Sequence, residues 1–112
     1  MTAKKAIAKI MGWDVMPSNR IWDFRDKDRR TFSLHHMECA KLLQQRMVDD
    51  GWRIVITAYT TGMFEALAVR LTAHNGISGN QVENYHMSDT VATEPAAIVA
   101  LFCRVYGIEE GA

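Results

Sequence analysis

Two apolar segments flanking a short glycine turn constrain this chain more than any other feature. Residues 52–59 carry Trp52, Ile54, Val55, Ile56, Thr57 and Tyr59, and residues 63–73 carry Phe64, Leu67, Val69 and Leu71. Thr60, Thr61 and Gly62 separate them. β-Branched and aromatic residues on both sides of a Gly-containing loop predict a β-hairpin. Neither strand alternates cleanly between apolar and polar: Ile54 and Ile56 oppose Val55, and Leu67, Val69 and Leu71 oppose Ala66 and Ala68. A sheet apolar on both faces is expected to be covered on both, by helices or by another subunit.

The remaining segments supply the helices. Residues 2–11 place Ala3, Ala6, Ile7 and Ile10 on one stripe and Lys4, Lys5 and Lys9 on the other, with Gly12 as the stop. Ser33 is a fitting N-cap for a helix over 34–50, in which Cys39, Leu42, Leu43, Arg46 and Met47 fall at helical spacing and Gly51 stands at the end. A last helix is predicted from Pro95 to near Gly107. Its stripe of Ile98, Leu101, Phe102 and Val105 is widened by Ala96, Ala97, Val99, Ala100 and Cys103, so it is expected to be buried centrally or against another subunit.

A second, shorter hairpin is expected where Trp13 and Val15 face Trp22 and Phe24 across Pro17, Ser18 and Asn19. Residues 25–30 alternate in charge and read as a solvated loop. Residues 74–93 show little periodicity and read as one long loop, either a binding loop or a disordered insert. Residues 108–112 read as a frayed acidic tail.

The expected architecture is therefore α+β in the order α-β-β-α-β-β-α. It is a mainly antiparallel four-stranded sheet with helices on both faces, an α/β/α sandwich formed by one domain of 112 residues. The hydrophobic fraction of 48% and charged fraction of 23% are those of an ordinary globular protein. Thirteen basic and thirteen acidic residues cancel, leaving no global field to attract nucleic acid or an anionic membrane. No apolar run approaches the ~20 residues of a membrane span, and no apolar signal core follows Lys4 and Lys5. Cys39 and Cys103 sit on apolar helical stretches, as buried thiols of a cytosolic protein do.

Three stretches resemble a small domain family of bacteriophages and prophages, the phage ABA sandwich. The first is Ile10-Met11-Gly12-Trp13-Asp14-Val15 with Ile21-Trp22-Asp23-Phe24. The second runs from Cys39-Ala40-Lys41-Leu42-Leu43 to Gly51-Trp52-Arg53-Ile54. The third is Asp89-Thr90-Val91-Ala92-Thr93-Glu94-Pro95-Ala96-Ala97-Ile98. In that family a tryptophan- and serine-containing segment precedes the middle helix, where this chain has Phe32-Ser33-Leu34-His35-His36. The resemblance implies the sandwich fold, a phage or prophage origin and a bacterial host cytoplasm. It implies no active site.

The chemistry-bearing residues form no recognised catalytic signature. His35 and His36 point about 100° apart on a helix, and no Cys-x-x-Cys or His-x-x-x-His spacing supports a metal. Gly76 and Gly79 lack the lysine of a phosphate loop. No nucleophile elbow surrounds a serine or cysteine. Trp13, Trp22 and Trp52 have the rings to stack on bases, yet they stand where hairpins place core aromatics. The methionines read chiefly as core filling.

The expectation is thus a non-enzymatic phage accessory binding protein without cofactor, acting as a homo-oligomer in counter-defence. It would sequester a nucleotide signal or block a host defence protein. For a nucleotide-like ligand the candidate residues are Arg53, Arg70, Asn84, Tyr85 and His86. The alternative is a small metal-dependent nuclease or nucleotide hydrolase using Asp23, Asp26 or Glu65 with magnesium. Zero net charge argues against a nucleic-acid partner.

Overall fold

A computed structural model of the chain describes residues 2–17, 21–73 and 80–109, the side chains of 71–73 and 80–84 excepted. It is an α+β protein in the order α1 (Ala3–Met11), β1 (Asp14–Val15), β2 (Phe24–Arg25), β3 (Thr31–Phe32), α2 (Met37–Asp49), β4 (Arg53–Ala58), β5 (Phe64–Ala73), β6 (Asn80–Met87) and α3 (Glu94–Val105). The strands form two antiparallel three-stranded sheets, β1-β2-β3 and β4-β5-β6. This corrects the expected single four-stranded sheet.

The first sheet is small because each of its strands pairs only two residues. Its inner side is aromatic. Trp13 packs on Phe24 and Phe32 with ring centroids 5.3 and 5.2 Å apart, and both phenylalanines are buried. The expected pairing of 13–15 with 21–24 is present as Val15 opposite Phe24. The charged run after it is the turn of a further hairpin. The Asp26 carboxylate accepts from the amides of Asp28 and Arg30 at 2.9 and 2.8 Å, which brings β3 back beside β2.

Asp23 also resets the start of the middle helix. Its carboxylate accepts from the Leu34 amide at 2.7 Å and the Ser33 hydroxyl at 3.3 Å. Ser33 is therefore committed elsewhere, and α2 begins at Met37 with His36 as its N-cap. Capping at the other helices follows the side-chain chemistry. Thr2 accepts from the Lys5 amide and Thr93 from the Ala96 amide, satisfying first-turn donors that have no partner within the helix.

The main sheet carries the predicted hairpin, β4 and β5, in a register that sets Ile54 opposite Ala68 and Ile56 opposite Ala66. Within the segment read as a long loop, residues Asn80–Met87 form strand β6. Its pairing jumps from Arg70–Asn84 to Leu71–Val82. This bulge at Glu83 destroys the period of two by which a strand is recognised. Residues 74–79 lie outside the described residues. At the other end, the Ile108 amide donates to the Cys103 carbonyl at 2.7 Å and its side chain packs on the core. The chain is thus anchored one residue beyond Gly107 rather than fraying there, while 110–112 lie outside the described residues.

The core lies between the main sheet and the helices. Ala66 and Ala68 are fully buried on β5, and Ile98, Leu101 and Phe102 on α3. Alanines on the strand let the helix approach closely, which gives α3 its central place. The opposite face of the sheet is not covered in the described structure, contrary to the expectation of helices on both sides: Val55 is 41% exposed, Met87 38% and Tyr85 65%.

Candidate binding surface

The register of the main sheet fixes what its open face presents. Successive side chains of a strand alternate between faces, so the residues out of phase with Ala66 and Ala68 point outward together. One cross-strand row is Arg53, Val69 and Tyr85; the next is Val55, Leu67 and Met87. Thr57 and Glu65 form a third row, and Tyr59 donates its hydroxyl to the Glu65 carboxylate at 3.2 Å. The face is therefore apolar in its middle, cationic at the Arg53 end and anionic at the Glu65 end.

The five candidate ligand residues divide between the two faces. Arg53 and Tyr85 belong to the open one. Arg70 and His86 belong to the other, where both meet Trp52: the Arg70 guanidinium stands 4.2 Å over the ring and His86 packs edge-on at 5.2 Å. Asn84 pairs with Arg70 along the strands, and its side chain lies outside the described residues. The structure does not bring the five to one pocket.

Arg70 belongs instead to a network at the end of α2. Its Nη2 donates to the Asp50 carbonyl at 2.7 Å. The Asp50 carboxylate accepts from the Tyr106 hydroxyl and from Arg46 Nε at 3.1 Å. Arg46 Nη1 continues to the Ile10 carbonyl at 3.0 Å. The Tyr106 hydrogen bond and then Arg46 hold the Asp50 carboxyl below its usual range. Burial, then the Asp50 carboxylate, pushes the Tyr106 phenol up to about 12. The network ties α1, α2, β5 and the end of α3 together, a structural task that sequence reasoning missed because its members are distant in the chain.

The carboxylates of the hydrolase alternative are each occupied by a partner. Asp23 pairs with Lys4 at 2.7 Å and Asp26 with Arg30 at 2.8 Å, while Glu65 takes the Tyr59 hydroxyl on the sheet. Among the described residues no three His, Cys, Asp or Glu side chains gather as metal ligands. Burial, then the charges of Asp23 and Glu38, pushes the Cys39 thiol up to about 12, far from a thiolate nucleophile. Trp13 and Trp52 pack on or within the core, whereas Trp22 is partly exposed beside His36.

Of the surface clefts, the one between α1 and the end of α3 has a volume of about 390 Å³. Among the described residues on its lining Lys9 is the one basic residue, and the Tyr106 hydroxyl there is committed to Asp50. Recognition of a phosphorylated ligand ordinarily draws on several charge-assisted donors. No buried side-chain polar atom among the described residues lacks a hydrogen-bond partner. No described helix is long and apolar enough to cross a membrane.

Compared with protein families, curated proteins and solved structures, the chain matches none. The open face of the main sheet exposes Val55, Tyr85 and Met87 side by side on adjacent strands. Contiguous apolar surface of this kind marks interaction sites on small proteins.

Proposed function

We propose that this chain is a non-enzymatic binding protein that works by protein–protein contact through the open face of the β4-β5-β6 sheet. One observation carries the reading: Val55, Leu67, Val69, Tyr85 and Met87 share a face that no described helix covers. Leaving such a face in water forgoes about 25 cal/mol for each Å² of apolar area, a loss that a partner recovers.

The phage or prophage origin and the setting in a bacterial host cytoplasm rest on the three stretches that resemble the phage ABA sandwich. In that setting a small binding protein acts in counter-defence by blocking a host protein or by sequestering a nucleotide signal. The separation of Arg53 and Tyr85 from Arg70 and His86 favours the protein target.

Native mass spectrometry of the protein purified gently from a bacterial host tests the reading, with V55D/M87D as comparison. Both positions are exposed, so the double variant is expected to fold. The expected outcome is a protein partner retained by the wild type and lost by the variant. A bound phosphorylated small molecule, retained equally by both, would overturn the reading.

A further inference from the structure

The open face is self-complementary, and we infer that it pairs with a second copy of this chain as a twofold symmetric dimer. This inference deepens the reading of the face as a protein-contact surface and rests on it.

The argument begins with the placement of charge. Arg53 stands in the first row and Glu65 in the third, with the apolar row Val55, Leu67 and Met87 between them. Thr57, the β4 residue opposite Glu65, lies four positions after Arg53, so the charged ends lie about 13 Å apart along the strands. A twofold axis relating two opposed faces must lie in the plane between them, and its two limiting directions, along the strands and across them, bring different residues together.

With the axis along the strands, Glu65 on the central strand would face Glu65 of the second copy, a like-charge contact. With the axis across the strands and through the Leu67 row, the strands reverse. The Arg53 end of each copy then lies over the Glu65 end of the other, one strand aside. Packed sheets stand about 10 Å apart, a gap that an extended arginine and a glutamate bridge. The central row packs on itself: Val55, Leu67 and Met87 meet the same residues of the second copy, as an isologous interface requires.

The area sets the strength. A face three strands wide and about six residues long spans roughly 300 Å² in projection, below the ~800 Å² per partner of a standard interface. A face of this size favours a weak dimer, reversible by a competing protein.

Sedimentation velocity of the full chain from about 1 µM to about 1 mM tests this, with the R53E, E65R and R53E/E65R variants. The wild type is expected to pass from monomer to dimer within that range. Each single reversal places like charges at both ends and is expected to raise the dissociation constant by about tenfold or more. The double reversal restores the opposite-charge contacts and is expected to return it to near the wild-type value. A wild type that stays monomeric throughout would overturn the dimer. The contact reading of the face would still stand if V55D/M87D abolished capture of another protein. A dimer indifferent to both single reversals and to V55D/M87D would overturn both. Single reversals that weaken the dimer with no restoration by the double would overturn the reversed pairing of charges.

Discussion

The guanidinium of Arg70 lies 4.2 Å over the Trp52 ring while its Nη2 donates to the carbonyl of Asp50 at 2.7 Å. A flat, delocalised cation can stack on a ring and donate in its own plane at once, which an ammonium cannot. The arrangement pins β5 to the end of α2 and shields Trp52, a buried residue of the turn between α2 and β4. Arg70→Lys is therefore not conservative here. It is expected to cost about 1 kcal/mol and to change the fluorescence of Trp52, with urea unfolding as the measure. Equal stability for the two proteins would show that making both contacts at once contributes nothing beyond what an ammonium can supply.

How much of this was legible depended on how local the cause was. The β4-β5 hairpin and α3 could be read because their signals lie within each segment: β-branched residues around Gly62, and an apolar helix after Thr93 and Pro95. Strand β6 escaped because the bulge at Glu83 breaks the alternation, and β3 because it has two residues. Ser33 misled because its competing partner, Asp23, is ten residues away. The open face was half visible. Apolar residues on both sides of β5 were evident, but only the packing of α3 on Ala66 and Ala68 decided which side stays uncovered. The small residues on one phase and Leu67 and Val69 on the other were the signal for it.

Stability is expected to fall at both ends of the pH scale. Asp50 is held below its usual range by the Tyr106 hydrogen bond and by Arg46. For Asp23 burial acts upward, but Lys4, the Leu34 amide and Ser33 together outweigh it and the net shift is downward. A carboxyl lowered in the fold contributes stability above its unfolded value of about 3.9. That contribution is lost as pH falls below this value and through the folded one. Tyr106 is raised to about 12, so its contribution is present below about 10 and fades as pH rises from there. Urea midpoints are expected to be level near neutrality, to drop below about pH 4 and to drop again above about pH 10. Asp23→Asn should flatten the acid limb and Tyr106→Phe the alkaline one. Unchanged limbs in both variants would contradict these assignments.

Arg29, in the turn between β2 and β3, has φ of 63°. The left-handed region costs an L-residue with a Cβ about 1 kcal/mol, a cost that glycine escapes. The position is exposed, so the substitution removes no core contact. Arg29→Gly is expected to leave stability unchanged or to raise it by up to about 1 kcal/mol, after the larger backbone entropy of glycine in the unfolded chain is offset. Thermal unfolding decides it. A loss of stability would mean that the arginine side chain makes a contact that outweighs the strain.

The covered face offers the opposite test. Ala68 is fully buried against the helix layer and sits opposite Ile54. Its single methyl group sets how near the apolar surface of α3 can come. Interiors are close-packed, so added methylene groups have no void to enter and must displace the helix or force strained rotamers. Ala68→Leu is expected to cost about 1–3 kcal/mol in urea unfolding. Val69→Leu, one residue along on the open face, is expected to change stability by less than about 0.5 kcal/mol. The contrast between adjacent residues of one strand reads the sidedness of the sheet directly. Equal costs at the two positions would mean that the face assigned as open is packed in solution, by a second copy or by another part of the chain.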